Sequence, residues 1–61
     1  MKCVKAKVNE AEKVKKDIIK LGVFSSEFCV EKDRNYIYFP ITKNIEGYEI
    51  VEKELKKQEA K

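Results

Sequence analysis

The residues of this chain whose types and spacing suit a chemical task are two tyrosines, four cations and an amide. In the run Asn35-Tyr36-Ile37-Tyr38-Phe39-Pro40-Ile41 the phenols alternate with Ile37, Phe39 and Ile41. On an extended backbone Tyr36 and Tyr38 therefore share one side and the apolar groups the other. Lys5 and Lys7 alternate in the same way with Val4, Ala6 and Val8. Lys32 and Arg34 sit in the polar corner before the aromatic run, and Asn35 opens it. A phenol ring packs on a planar base or a sugar, while an ammonium or guanidinium pairs with phosphate. An amide hydrogen-bonds to either. Lys5, Lys7, Lys32, Arg34, Asn35, Tyr36 and Tyr38 are thus candidate contacts to RNA, which is read by aromatic sheet faces of this kind. Plainer accounts stand beside that one. Tyrosine favours strands for packing reasons alone, and Lys13, Lys16 and Lys20 fall opposite an apolar helical stripe, where a solvated face explains them.

Other chemistries find no support in the residues. Acid–base catalysis needs two groups of separated pKa in a cleft, and the eleven carboxylates are scattered among lysines. There is no histidine, so neither a Ser/His/Asp set nor an activated Cys/His pair can form. The two glycines, Gly22 and Gly47, are too far apart for a phosphate-cradling loop. Cys3 and Cys29 lack the spacing and the partners of a zinc site. They read as small strand residues in a reducing cytoplasm, with a disulfide between them the lesser alternative. No signal peptide or membrane-spanning run is present. No catalytic residue, metal or cofactor is expected in this chain.

Sixty-one residues make one small domain, with room for a core but not for a deep cofactor pocket as well; at this size about 60% of the unfolded surface is buried. The net charge of +3 is unevenly placed. Met1 to Phe24 holds seven lysines against three carboxylates, whereas seven cations meet eight carboxylates from Ser25 onward. An anionic partner should therefore prefer the first strand and helix. The surplus of Lys and Glu resembles the bias of thermophile proteins.

These side chains need a scaffold, and the patterning supplies one. Lys2 to Val8 alternates as a half-buried strand. Asn9 is placed to cap a helix, with Glu12 three residues on. Ala11, Val14, Ile18 and Leu21 form the buried stripe of that helix, and Gly22 stops it. Glu27 to Lys32 alternates again, with Phe28 and Val30 inward and Cys29 outward. Asp33-Arg34 then closes a hairpin into the aromatic strand. Tyr48 to Leu55 is either a fourth strand or, at its Glu/Lys-rich end, helical. The predicted fold is α+β: a small antiparallel sheet of three to four strands with one helix on one face, in the order strand-helix-strand-strand-strand. Its open face carries Lys5, Lys7, Cys29, Tyr36 and Tyr38. The domain spans 1–55, and 56–61 reads as a linker or frayed terminus.

The succession Val-Lys-Ala-Lys-Val, a Lys-rich helix ending Leu-Gly-Val-Phe, Asn-Tyr-Ile-Tyr-Phe-Pro-Ile and Tyr-Glu-Ile-Val-Glu-Lys-Glu-Leu resembles the N-terminal domain of archaeal tRNA (guanine-37-N1) methyltransferase. The likeness runs from Lys2 to about Leu55. It implies a non-catalytic tRNA-binding module that reaches the tRNA elbow, where the D and T loops meet, and checks the L-shape. A separate domain, using S-adenosylmethionine, methylates guanine 37. It also implies a monomeric cytoplasmic protein whose partners are tRNA and the other domains of the parent enzyme. None of the family's methyl-donor or catalytic motifs has a counterpart in this chain. The alternative is a docking module within a multidomain tRNA-modifying enzyme, the related wybutosine-pathway enzymes included.

Overall fold

The computed structural model describes residues 1–58. Four strands form one antiparallel sheet: β1 (Lys2–Lys7), β2 (Glu31–Lys32), β3 (Tyr36–Pro40) and β4 (Glu49–Glu52), in the spatial order β2-β3-β1-β4. One helix, α1 (Ala11–Lys20), lies between β1 and β2 in the chain. The expected α+β class and element order are those observed.

Register turns the alternation of each strand into two faces. Val4 stands between Phe39 and Ile50, and Ala6 opposite Ile37. This face meets Ala11, Val14 and Ile18 of α1, with Val23 and Ile41 completing the core. Val4 and Ile18 are fully buried, and Phe24 meets Phe39 edge-on with ring centroids 6.5 Å apart. Burying a side chain the size of Ile18 contributes about 1.5–3 kcal/mol, a large share of what so small a domain holds. The other face carries Cys3, Lys5 and Lys7 of β1 opposite Pro40, Tyr38 and Tyr36 of β3.

Helix α1 ends as its sequence dictates. Gly22 adopts φ 74°, a left-handed conformation open to glycine at little cost. The Gly22 N–H donates to the Ile19 carbonyl at 3.0 Å and the Val23 N–H to Ile18 at 3.2 Å. That pair of bonds is the Schellman stop, and Val23 and Ile18 supply its apolar contact. The start of the helix differs from expectation. Asn9 does not cap it: Val8–Glu10 forms a 3-10 turn, Glu10 takes the cap position, and neither segment has a side-chain cap hydrogen bond. The turn tightens the chain one step early, so Asn9 is already inside helical backbone when the α-helix begins. Leu21 also departs from the stripe. It is the cap residue and 57% exposed, because Gly22 turns the chain away before Leu21 reaches the sheet.

The segment from Glu27 to Lys32 is less regular than its alternation suggests, with only Glu31 and Lys32 pairing to β3. Val30, expected inward, is 39% exposed. Phe28 is half-buried and bridges to Lys57 instead. Beyond β4 the chain bonds to the segment before β2: the Cys29 N–H donates to the Lys56 carbonyl and the Gln58 N–H to Glu27, both at 2.8 Å. Met1 and Lys53 exchange backbone bonds at 2.9 Å each. These contacts account for Lys56 to Gln58; the rest of the expected linker, 59–61, lies outside the described residues.

Candidate functional site

The face expected to be open is divided into a covered end and a free end. At the covered end Tyr38 is only 9% exposed and Cys3 fully buried. The Lys53 ammonium lies 4.5 Å from the Tyr38 ring centroid and pairs with Glu31 at 2.6 Å. The Glu31 hydrogen bond holds the Lys53 pKa above the ordinary lysine range. Burial pushes the Cys3 thiol up, despite the nearby N-terminal ammonium and Lys53. Tyr38 therefore offers no ring face to a base. Lys5 is similarly engaged, 4.3 Å over the Tyr36 ring and 3.8 Å from Glu49.

Free cations gather at the other end. The β2–β3 corner closes through the Asp33 N–H, which donates to the Tyr36 carbonyl at 2.7 Å, while Asp33 Oδ1 accepts the Arg34 N–H at 2.7 Å. No corner residue has a positive φ, so this is not the primed turn of an Asn-Gly hairpin. The Val8 N–H donates to the Asn35 carbonyl at 3.2 Å, tying the corner to the end of β1. An open notch of about 410 Å³ results, lined by Lys7, Val8, Asn9, Arg34, Asn35 and Tyr36. Neither Lys7 nor Arg34 forms an ion pair among the described residues. With no carboxylate lining the notch, two exposed cations, a half-exposed ring and two amides suit a phosphodiester that carries rings.

A second cleft of about 420 Å³, between α1, β1 and the start of β4, differs in charge. There Glu10, Asp17 and Glu49 offset Lys5, Lys7 and Lys13, which leaves little preference for an anion. The Tyr48 hydroxyl donates to Asp17 Oδ2 at 3.1 Å, and burial followed by that bond raises the phenol pKa.

The structure thus brings together Lys7, Arg34, Asn35 and Tyr36 of the expected set, with Lys5 beside them. Tyr38 lies on the same face but is covered. Lys32 is exposed opposite Ile37, and so belongs to the helix side of the edge strand. Cys29, expected on the open face, is exposed but lies outside the sheet. Sequence reasoning missed Asn9, because its position reads as a helix cap, and Lys53, whose packing on Tyr38 no local pattern signals. Among the described residues no cluster of side chains could hold a metal ion, and no helix is long and apolar enough to cross a membrane.

Comparison with known proteins agrees with this fold. The chain is 31% identical over 52 residues to the tRNA (guanine(37)-N(1))-methyltransferase Trm5b of Pyrococcus abyssi, covering 85% of this chain and 16% of that protein. The crystal structure of the Pyrococcus abyssi Trm5b superposes with a TM-score of 0.94 at 27% identity, over 98% of this chain and 18% of the larger one. Methanocaldococcus jannaschii Trm5, solved in complex with adenosine, shares the fold with a TM-score of 0.87 at 22% identity, over 95% of this chain and 21% of its own. The chain therefore spans about one-sixth to one-fifth of the length of these relatives. Residues 3–49 match the family described as the tRNA methyltransferase 5 N-terminal domain, and the chain belongs to that family.

Proposed function

We propose that this chain is a non-catalytic tRNA-recognition module that binds the tRNA elbow and checks the L-shape while a separate domain methylates guanine 37. The observation that carries the reading is the pair of cations that form no ion pair among the described residues, Lys7 and Arg34, around the half-exposed Tyr36 at one end of the sheet. These two contact phosphate or ribose, and Tyr36 packs against an exposed base or sugar; Lys32, on the helix side of the edge strand, is left outside this contact set. Lys5 keeps the Tyr36 ring in place and adds positive potential; Tyr38 supports Lys53 without touching RNA. On this reading the chain acts as a monomer in the cytoplasm and holds no cofactor, S-adenosylmethionine being bound elsewhere in the parent enzyme. A weak site of this kind gains its effect through tethering, which raises its effective concentration at the tRNA held by the catalytic domain.

The test is an NMR titration of the labelled chain with folded tRNA and with the same tRNA disrupted at its D/T-loop contact. Shifts centred on Lys7 and Arg34 to Tyr36, weaker for the disrupted tRNA, support elbow reading. Equal response to both RNAs rules it out. The exposed Ile19 and Leu21 at the end of α1 favour a second reading, docking onto another domain of the same enzyme. Apolar docking survives high salt, whereas phosphate contacts do not.

A further inference from the structure

We infer that the notch between the end of β1, the 3-10 turn and the β2–β3 corner is a subsite for one unstacked ribonucleotide, its base entering the notch and its flanking phosphates lying on Lys7 and Arg34. The inference rests on the tRNA-binding reading and adds what the site selects: a nucleotide that the folded D/T-loop contact holds out of the stack, as opposed to one stacked within a helix.

Asn9 is the first reason. It lies within the 3-10 turn, between the cap positions taken by Lys7 and Glu10, so its exposed side chain is not engaged at a helix end. Asn35, distant in sequence, is held beside it by the bond from the Val8 N–H to the Asn35 carbonyl. Neither amide makes a hydrogen bond within the described part of the chain. Two free amides at one place offer both donors and acceptors to the edge of a base. The lining is the second reason. Val8, 40% exposed, and Tyr36 give the notch an apolar surface beside those amides. An open, shallow notch with an apolar floor and a few polar groups at its edge suits a planar ring laid against it. Charge is the third, since two cations and no carboxylate line the notch, with Asp33 adjoining it through its bond to the Arg34 N–H.

A base inside a duplex cannot enter. Its edge is engaged by its partner and its faces by its neighbours, whereas an unstacked base presents both. Because an amide pairs with either a donor or an acceptor, the notch tells stacked from unstacked and does not separate the four bases.

The experiment compares three RNAs by affinity and by the side-chain amide resonances of the chain: a blunt duplex, the same duplex with a single-uridine bulge, and that bulge carrying an abasic ribose. The bulged duplex should bind about fivefold or more tightly than the other two, as a single base–aromatic contact implies. Only the bulged duplex should move the Asn9 and Asn35 amide signals. Asn9→Ala, at an exposed position whose side chain makes no internal bond, should remove that advantage while the backbone amide spectrum away from the notch stays as in the parent; Asn35→Ala is the second check. Equal affinity for the bulge and the abasic bulge overturns the subsite and leaves tRNA binding through phosphates intact. Failure of all three RNAs and of folded tRNA to bind at low salt overturns both.

Discussion

Removing Lys7 and Arg34 together tests the RNA-binding surface most directly, because the structure fixes how many cations are free to meet phosphate. Of the basic residues expected at the interface, Lys5 is engaged with Tyr36 and Glu49. Lys7 and Arg34 have no acidic partner among the described residues and line one notch, whereas Lys32 lies on the helix side of the sheet. Two phosphate contacts give a slope of log affinity against log salt of about −1.8. Between ~50 and ~200 mM salt, affinity for tRNA should then fall about 12-fold. The double variant Lys7→Ala/Arg34→Ala loses both contacts and nearly all of that salt dependence. Lys5→Ala should leave the slope nearly unchanged, since its ammonium is already matched by a carboxylate. Fluorescence anisotropy of end-labelled tRNA across a salt series gives all three slopes. A double variant with the parental slope would refute the surface, and a large change from Lys5→Ala alone would show that the ion pair with Glu49 opens on binding.

Three further outcomes follow from the packing. Ile18→Val, at a fully buried position, should cost about 0.5–1.5 kcal/mol, and thermal unfolding will detect it because 1 kcal/mol shifts Tm by about 4–8 °C at this size. Leu21→Ala, on the exposed cap, should stay within about 0.5 kcal/mol; equal losses would contradict the helix boundary. Cys3, Tyr48 and Lys53 all hold their protons more tightly in the fold than in the unfolded chain. Each contribution is thus complete below the ordinary titration range of the group and is lost as pH rises through its raised folded value. Stability measured by denaturant should decline from about pH 8.5 upward, and a curve that rises there would contradict the assignment. Cys29 is exposed and Cys3 buried, so an aromatic disulfide reagent should modify Cys29 at least about a hundredfold faster, opening of the core being required for Cys3. Comparable rates would mean that the covered end of the sheet is loose.

Periodicity over a few residues made the elements legible. The alternation in Lys2 to Val8 and Asn35 to Ile41 assigned Lys5, Lys7, Tyr36 and Tyr38 to one face, and the register confirms that placement. Gly22 marked the end of the helix for a steric reason that holds whatever the surroundings. Burial within a face was not legible, because it depends on residues far along the chain. Tyr38 is covered by Lys53, and Phe28 is drawn out of the sheet by Lys57. Asn9 misled because a 3-10 turn and a cap draw on the same residue types, and the bond from Val8 to Asn35 has no sequence signature. The notch, which combines residues of two distant segments, was half legible: Lys7, Arg34, Asn35 and Tyr36 by type, Val8 and Asn9 not at all.

The place of β1 in the sheet bears on how the chain folds as it is made. It is the first strand in the chain, yet it lies in the interior of the sheet with β3 on one edge and β4 on the other. Neither partner exists when β1 emerges, and the second of them ends at Glu52. Until then Val4 and Ala6 have a helix to lean on but no complete ladder, and both edges of β1 stay open to other chains. Such distant pairings form slowly, which makes the interval before β4 arrives the chain's most aggregation-prone stage. The lysines that alternate along β1 are of the kind that discourage pairing of an open strand with other chains.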